Sequence, residues 1–120
     1  MEMTDAVDAL SALAHEGRLA IFRELVRAGA EGLAAGEVSR RLGIAPNTLS
    51  ASLAVLSHAG LAHSRRDGRS IIYRAAYAHM ADLLGFLVED CCQGRPEVCG
   101  SLAQVAARSA CCDAPEGALS

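Results

Sequence analysis

The 120-residue chain has no tryptophan and only two phenylalanines and two tyrosines. Its core therefore has to be built from Leu, Ala, Val and Ile, a composition that suits closely packed helices. The sequence also has no apolar run of about 18 residues, the minimum for a transmembrane helix. Glu2, Asp5 and Asp8 stand at the start of the chain, where a signal peptide would be basic. We therefore expect a cytoplasmic protein without a membrane partner.

Motifs of the common enzyme classes are missing as well. The sequence contains no glycine-rich phosphate loop, no nucleophile elbow and no HExxH zinc motif. We therefore expect a protein that is not an enzyme and has no organic cofactor. The length fits one ordinary domain, and the apolar fraction of 52% is high for that length. Part of the apolar surface is expected to lie between subunits.

The basic residues are all arginine, and they are unevenly distributed along the chain. A net charge of −3 argues weakly against a nucleic-acid partner. Residues 40–74, however, contain six arginines and a single acid, Asp67, which gives this segment a local charge of +5. A polyanion responds to the local field rather than to the average charge. The middle of the chain is therefore the candidate surface for nucleic acid.

Hydrophobic periodicity and helix-terminating glycines predict four helices in the first half of the chain. Thr4 is the predicted N-cap of the first helix, which has Val7, Leu10 and Leu13 on one face. The other three helices are predicted at residues 18–28, 37–42 and 46–59. The last two are joined by a short turn that contains glycine, which is typical of a helix-turn-helix.

A β-hairpin and one more helix are predicted to follow. Residues 61–67 and 69–75 have strand-forming composition, and the Asp67-Gly68 pair between them is a strong hairpin signal. A last helix is predicted over residues 77–91. Its apolar stripe consists of Met80, Leu83, Leu84, Leu87 and Val88. The expected fold class is mainly α with a small β-hairpin (α+β), a winged helix-turn-helix.

A winged helix binds DNA by placing its recognition helix in the major groove, while the wing reaches phosphates or the minor groove. Short polar side chains at the start of the fourth helix suit base edges, and arginines supply salt-dependent phosphate affinity. The candidate DNA-binding residues are Arg41, Asn47, Thr48, Ser50, Ser52, Arg65, Arg66 and Arg69. The alternatives are a solvated polar face, or a winged helix that makes only protein contacts.

Four stretches of sequence carry a family resemblance. They are LSALAHEGRLAI from Leu10, LGIAPNTLS from Leu42, LSHAGL from Leu56 and GRSIIY from Gly68. Together they resemble the ArsR/SmtB family of metalloregulators over residues 8–92. The resemblance implies a homodimer, formed through the first and last helices, that represses transcription at double-stranded operator DNA.

The resemblance also bears on the division of the chain and on base recognition. We expect a winged-helix domain for DNA binding and dimerisation at residues 1–92 and a cysteine-containing tail at residues 93–120. Many family members have arginine, histidine or lysine near the middle of the recognition helix. This chain has Ala51 and Ala54 there, so the direct contacts to bases are expected to be few.

All five cysteines lie in the last 30 residues. In a cytoplasmic chain they are expected to be thiols, metal ligands or redox sensors. Trivalent arsenic and antimony are soft and prefer thiolates, and each takes three sulfurs in a pyramid. Cys91 and Cys92 are adjacent at a helix end, and a bend after them can return Cys99. These three residues are the candidate metal site, with As(III) or Sb(III) as the effector.

Other cysteine chemistry stays open from the sequence. Adjacent cysteines are poorly spaced for tetrahedral zinc, and the third-helix cysteine pair and last-helix DxH pattern of other family members are absent here. The cluster resembles that of arsenic-responsive members whose site follows the last helix. The alternatives are a thiol redox switch, a zinc-, cadmium- or copper-responsive repressor, and a metalloid carrier without operator specificity. Cys111 and Cys112 are not expected to be essential.

Overall fold

A computed structural model of the protein describes residues 1–88. The helices are α1 (Met3–Leu13), α2 (Glu16–Ala28), α3 (Ala35–Leu42), α4 (Pro46–His58) and α5 (Tyr77–Leu87). The strands are β1 (Leu33–Ala34), β2 (Ala62–Asp67) and β3 (Ser70–Ala75), and a 3-10 turn spans Gly29–Glu31. The chain divides into a unit of Met1–Leu83 and a second unit from Leu84 onward. The predicted domain boundary after residue 92 lies outside the described residues.

The first helix buries a face made of alanine. Ala6, Ala9 and Ala12 are at most 3% exposed, and their small side chains let α1 pack closely on α2 and α4. The predicted apolar stripe lies on another face of the helix, with Val7 and Leu10 exposed by 50% and 41%. Periodicity identified an amphipathic helix correctly, but the larger apolar side chains are not the ones that the protomer buries.

The start of α1 differs from the prediction. The helix begins at Met3 with Glu2 as its N-cap, and Thr4 lies inside the first turn. The backbone N–H of Glu2 donates a hydrogen bond of 3.2 Å to Asp5 Oδ2. An acidic side chain three residues into a helix can satisfy the capping residue in this way, so the chain does not need Thr4 as a cap.

The second helix also begins earlier than predicted, at Glu16. His15 is its N-cap, and the Nδ1 atom of His15 accepts hydrogen bonds from the backbone N–H groups of Gly17 and Arg18 at 3.1 and 3.3 Å. The Arg18 side chain donates in turn to the carbonyl oxygen of Ala12 at 2.7 Å. These contacts satisfy the free ends of both helices at a tight corner.

The core of the first unit is aliphatic, as the composition predicts. Its fully buried large side chains are Ile21, Leu25, Val38, Leu49, Leu53, Leu56 and Leu61. Complete burial of one such side chain contributes about 1.5–3 kcal/mol. Three of the seven, Leu49, Leu53 and Leu56, form the inward face of α4. Within residues 1–88 no polar or charged residue is buried.

The hairpin belongs to a three-stranded antiparallel sheet with the order β1-β3-β2. Strand β1 pairs Leu33 with Tyr73 and Ala34 with Ile72. This strand was not predicted, since two residues are too few to show a periodicity. Gly32 precedes it with a φ of 75°, and a Cβ there would lie 2.3 Å from the Tyr73 carbonyl oxygen. Glycine is therefore required at this close approach.

The start of α5 is fixed to the rest of the first unit by backbone and side-chain hydrogen bonds. The Ala76 backbone N–H donates to the Leu61 carbonyl at 2.8 Å, and the Tyr77 hydroxyl donates to the Val26 carbonyl at 2.8 Å. Leu83 is buried.

Across residues 1–88, no helix has the length and apolar character needed to cross a membrane.

Candidate nucleic-acid interface

Helices α3 and α4 form the predicted helix-turn-helix. Gly43 ends α3 in the left-handed conformation, with a φ of 65°. The Ile44 backbone N–H donates to the Ser39 carbonyl at 3.1 Å, and the Ser39 hydroxyl donates to the Ile44 carbonyl. Pro46 then occupies the first turn of α4, where its missing N–H costs nothing. The turn thus fixes the direction in which α4 leaves α3.

The side chains predicted to contact bases lie at the start of α4. Asn47, Thr48 and Ser50 are exposed, whereas Ser52 is half-buried on the flank of the inward face. The structure therefore places the first three on an accessible surface and gives Ser52 less access. No Asp, Glu, Lys or Arg occurs anywhere in Pro46–His58, so His58 is the one ionisable side chain of this helix.

The wing presents its arginines at an accessible position. Arg65, Arg66 and Arg69 are all exposed. In the β2–β3 register, Arg65 faces Ile72 and Arg66 faces Ile71, so the two arginines point to opposite faces of the sheet. Arg65 Nη2 donates to the Glu31 carbonyl oxygen at 3.3 Å. The guanidinium groups of Arg66 and Arg69 have no hydrogen-bond or ion-pair partner within residues 1–88.

Arg41 is held by two carboxylates. Its Nε donates to Glu37 Oε2 at 2.8 Å, and its Nη1 lies 3.6 Å from Glu24 Oε1. Glu37 also binds the guanidinium of Arg40, and Glu24 lies 2.5 Å from Arg27 Nη1. This network joins α2 to α3 through five side chains. The positive charge of Arg41 is therefore already compensated within the protomer by Glu24 and Glu37.

The network shifts the titration of two of its members. Hydrogen bonds from Arg41 and then Arg40 hold the pKa of Glu37 below its usual range. The hydrogen bond to Glu37 raises the pKa of Arg41, against a smaller opposing effect of burial. Both groups are therefore ionised at neutral pH. Sequence reasoning missed the part that Glu24 and Glu37 play, although Glu37 stands four residues before Arg41, a spacing that favours an ion pair in a helix.

The end of α4 meets the first turns of α5 at a glycine. Gly60 has a φ of 83°, and a Cβ there would lie 3.1 Å from two atoms of the His79 ring. The Nε2 atom of His79 is buried and has no hydrogen-bond partner within the described part of the chain. The imidazole therefore packs directly on the backbone that follows α4.

The predicted metal ligands Cys91, Cys92 and Cys99 lie outside the described residues, as do Cys111 and Cys112. Residues 1–88 contain no cysteine. In this part of the chain no group of three or more His, Cys, Asp or Glu side chains is placed to hold a metal ion.

Comparison with known proteins agrees with this geometry. A helix-turn-helix domain family model matches residues 13–65. The chain is 32% identical over 83 residues to the biofilm growth-associated repressor of Xylella fastidiosa, a match that covers 69% of this chain and 70% of that protein. An ArsR-like transcriptional regulator from Rhodococcus sp. RHA1 has a similar structure, with a TM-score of 0.65 and 25% identity over 86% of this chain and 93% of that one.

A third similar structure is the homodimeric winged helix-turn-helix DNA-binding domain of Mb0332 from Mycobacterium bovis, a possible ArsR-family regulator. It has a TM-score of 0.59 and 26% identity, covering 73% of this chain and 82% of that one. The chain belongs to the ArsR family of winged-helix transcriptional repressors. The relatives are DNA-binding repressors rather than enzymes, which confirms the expectation that this protein is not an enzyme.

Family membership confirms the predicted fold class of this ArsR-family repressor, a winged helix-turn-helix. In helix-turn-helix proteins the second helix carries the residues that face the bases, while the first helix crosses the DNA backbone. In this chain α4 stands in the position of that second helix, and α3, which carries Arg40 and Arg41, stands in the position of the first.

Proposed function

We propose that this ArsR-family repressor binds a twofold-symmetric operator as a homodimer and releases it when As(III) or Sb(III) binds Cys91, Cys92 and Cys99. The observation that supports operator binding best is the arrangement of α4 and the wing. Asn47 and Thr48 are exposed on α4, and α4 packs on β2, the strand that carries Arg65 and Arg66. Base-reading and phosphate-binding groups are therefore available from adjacent elements.

The proposed dimer is supported by apolar side chains that the protomer leaves exposed. On α1, Met3 and Val7 are exposed by 66% and 50%. On α5, Leu84 and Leu87 are each exposed by 52%. Exposed apolar patches of this kind commonly mark subunit interfaces. We propose that α1 and α5 pair with the same helices of a second protomer, which would also account for the high apolar content of a short chain.

The proposed effector site is supported by cysteine chemistry. Because residues 1–88 contain no cysteine, any thiolate site has to come from the segment after α5. Cys91, Cys92 and Cys99 would supply three thiolates, the donor set that a soft trivalent metalloid prefers. An adjacent cysteine pair is less suited to the four-ligand tetrahedral geometry of zinc.

Derepression would follow from the position of these cysteines next to a proposed interface helix. Drawing Cys99 toward Cys91 and Cys92 would constrain the end of α5 and so alter the packing of the two protomers. A change in that packing changes the separation of the two α4 helices, which has to match successive major grooves. A coupling of about 3 kcal/mol corresponds to roughly 150-fold, and DNA must weaken metalloid binding by the same factor.

The test is a titration of the DNA complex. The full chain, kept under reductant, is bound to a fluorescently labelled duplex recovered from a randomised DNA pool, and anisotropy is followed as arsenite is added. We expect arsenite to release the DNA at low molar excess over the protein. The same titration with zinc, cadmium and copper salts, and with peroxide after the reductant is removed, distinguishes the other effectors.

Each alternative predicts a different outcome of this titration. Release by peroxide but not by arsenite would identify a thiol redox switch, and release by zinc, cadmium or copper alone would identify a divalent-metal sensor of the same fold. A protein that binds arsenite but enriches no DNA sequence would be a metalloid carrier.

A further inference from the structure

The exposed face of α4 carries methyl groups where a recognition helix often carries charge. Thr48, Ala51 and Val55 are all exposed, and Val55 is exposed by 40%. Residues three and four apart are neighbours on a helix surface, so these side chains form one continuous strip. Asn47 lies beside its N-terminal end. We call Thr48, Ala51 and Val55 the methyl strip.

The four bases present different groups in the major groove, and α4 lacks the side chains that suit two of them. Guanine is contacted best by arginine or lysine, and the cytosine amino group by aspartate or glutamate. None of these occurs in Pro46–His58. Adenine is contacted by asparagine, and the thymine C5 methyl by alanine or by the methyl of threonine. Serine and threonine hydroxyls can contact several base edges, so the side chains of α4 that discriminate between bases are those that match A·T pairs.

The charge needed to hold this uncharged helix against DNA is available from the wing. Strand β2 packs against α4 and carries Arg65 and Arg66, and Arg69 lies at the tip of the hairpin. Contacts from these residues to phosphates would give affinity without regard to sequence. Sequence preference would then depend on what α4 presents to the bases. The positive charge of the wing beside the methyl strip is complementary to DNA phosphates, which argues that the methyl strip contacts DNA.

We propose that the methyl strip selects the operator by apolar contact with thymine C5 methyl groups, while Asn47 contacts a neighbouring adenine. This inference rests on the proposed function, because it concerns how the operator is chosen. A buried methyl group corresponds to about a fourfold change in Kd. Two or three such contacts in each half-site would give substantial discrimination without a charged contact to any base.

The experiment begins with selection from a randomised duplex pool by the full chain under reductant. Each thymine of the selected site is then replaced in turn by deoxyuridine, which lacks the C5 methyl and keeps every hydrogen-bonding group. We expect at least one thymine in each half-site whose replacement raises Kd about fourfold. At the thymine that Ala51 contacts, Ala51→Ser should bring the ratio of the deoxyuridine Kd to the thymine Kd close to one. Ala30→Ser, at an exposed alanine of the 3-10 turn, should leave that ratio unchanged.

The outcomes separate this inference from the proposed function. A selected site whose deoxyuridine versions all bind with unchanged Kd would overturn the proposed contact between the methyl strip and thymine methyl groups, while operator binding would still hold. So would a selected site with G·C pairs at every position that α4 protects. A pool from which no sequence is enriched would overturn operator recognition itself, and the inference with it.

Discussion

Arg41 Nε donates a 2.8 Å hydrogen bond to Glu37 Oε2, one turn earlier in α3. Helix α3, which we propose lies toward the DNA backbone, therefore carries an arginine that is already bound to a carboxylate in the absence of DNA. Because the pKa of Glu37 is lowered by this pairing, the carboxylate is charged at every pH above the ordinary carboxyl range. The pairing is lost only as the pH falls through that lowered pKa.

Glu37→Gln should strengthen the binding of DNA of any sequence. The substitution removes the carboxylate that pairs with Arg40 and one of the two that hold Arg41. Each arginine released to a phosphate should steepen the salt dependence by about one unit of log K against log salt. The measurement is the Kd on random duplex DNA across a salt series. Glu16→Gln, an exposed glutamate of α2 outside the network, makes the same change in net charge and should leave the slope unchanged. Equal slopes for both variants would show that Glu37 does not restrain these arginines.

The wing arginines should contribute to phosphate binding to different extents. Arg66→Ala and Arg69→Ala should each flatten the salt slope by about one unit, with a similar loss on all sequences. Arg65→Ala should have a smaller effect, since that guanidinium already donates to the Glu31 carbonyl. Arg23→Ala, at an exposed position of α2, is the control. If the salt slopes of Arg66→Ala and Arg69→Ala match that of Arg23→Ala, the wing does not contact phosphate.

Gly32→Ala should destabilise the protomer far more than Gly29→Ala. Both glycines have a positive φ, of 75° and 79°, and alanine in such a conformation costs on the order of 1–3 kcal/mol. Only at Gly32 would the added Cβ also lie 2.3 Å from the Tyr73 carbonyl oxygen. That clash should add about 1–3 kcal/mol and separate β1 from β3. Urea unfolding at one fixed protein concentration measures the free energy of unfolding of both variants. Equal losses of stability would mean that β1 moves away from the Tyr73 carbonyl at no cost.

The sequence predicted those elements that are determined by residues close together in the chain. Helices α2 to α4 and the hairpin were identified because apolar periodicity, terminating glycines and the Asp67-Gly68 pair all act within a few residues. The pairing of β1 with β3 was not predictable, since it joins Leu33 to Tyr73 across the chain. The same holds for the contact between Arg41 and Glu24. Periodicity also found the stripe containing Val7 without showing whether it faces the protomer core or another subunit.

Asn47→Ala and Thr48→Ala should weaken specific binding more than general binding. Both residues are exposed at the start of α4, and loss of a good contact to a base edge costs about 1–3 kcal/mol. The loss should appear on the selected operator and be smaller on random duplex DNA. Ser52→Ala should have the least effect, because Ser52 is half-buried. Equal losses on the two kinds of DNA would show that Asn47 and Thr48 do not contact bases.

The cysteine variants test the proposed sensor. Cys91→Ser, Cys92→Ser and Cys99→Ser should each leave operator affinity unchanged, because residues 1–88 contain all of the proposed DNA-contacting side chains. Each should abolish or strongly weaken release by arsenite, since a hydroxyl in place of one thiolate breaks a three-sulfur chelate. The double variant Cys111→Ser/Cys112→Ser is the matched control and should respond like the unmodified protein. Anisotropy of the labelled operator under reductant measures all four. If the triple variant Cys91→Ser/Cys92→Ser/Cys99→Ser still released DNA on addition of arsenite, the site would have to include the remaining pair, Cys111 and Cys112.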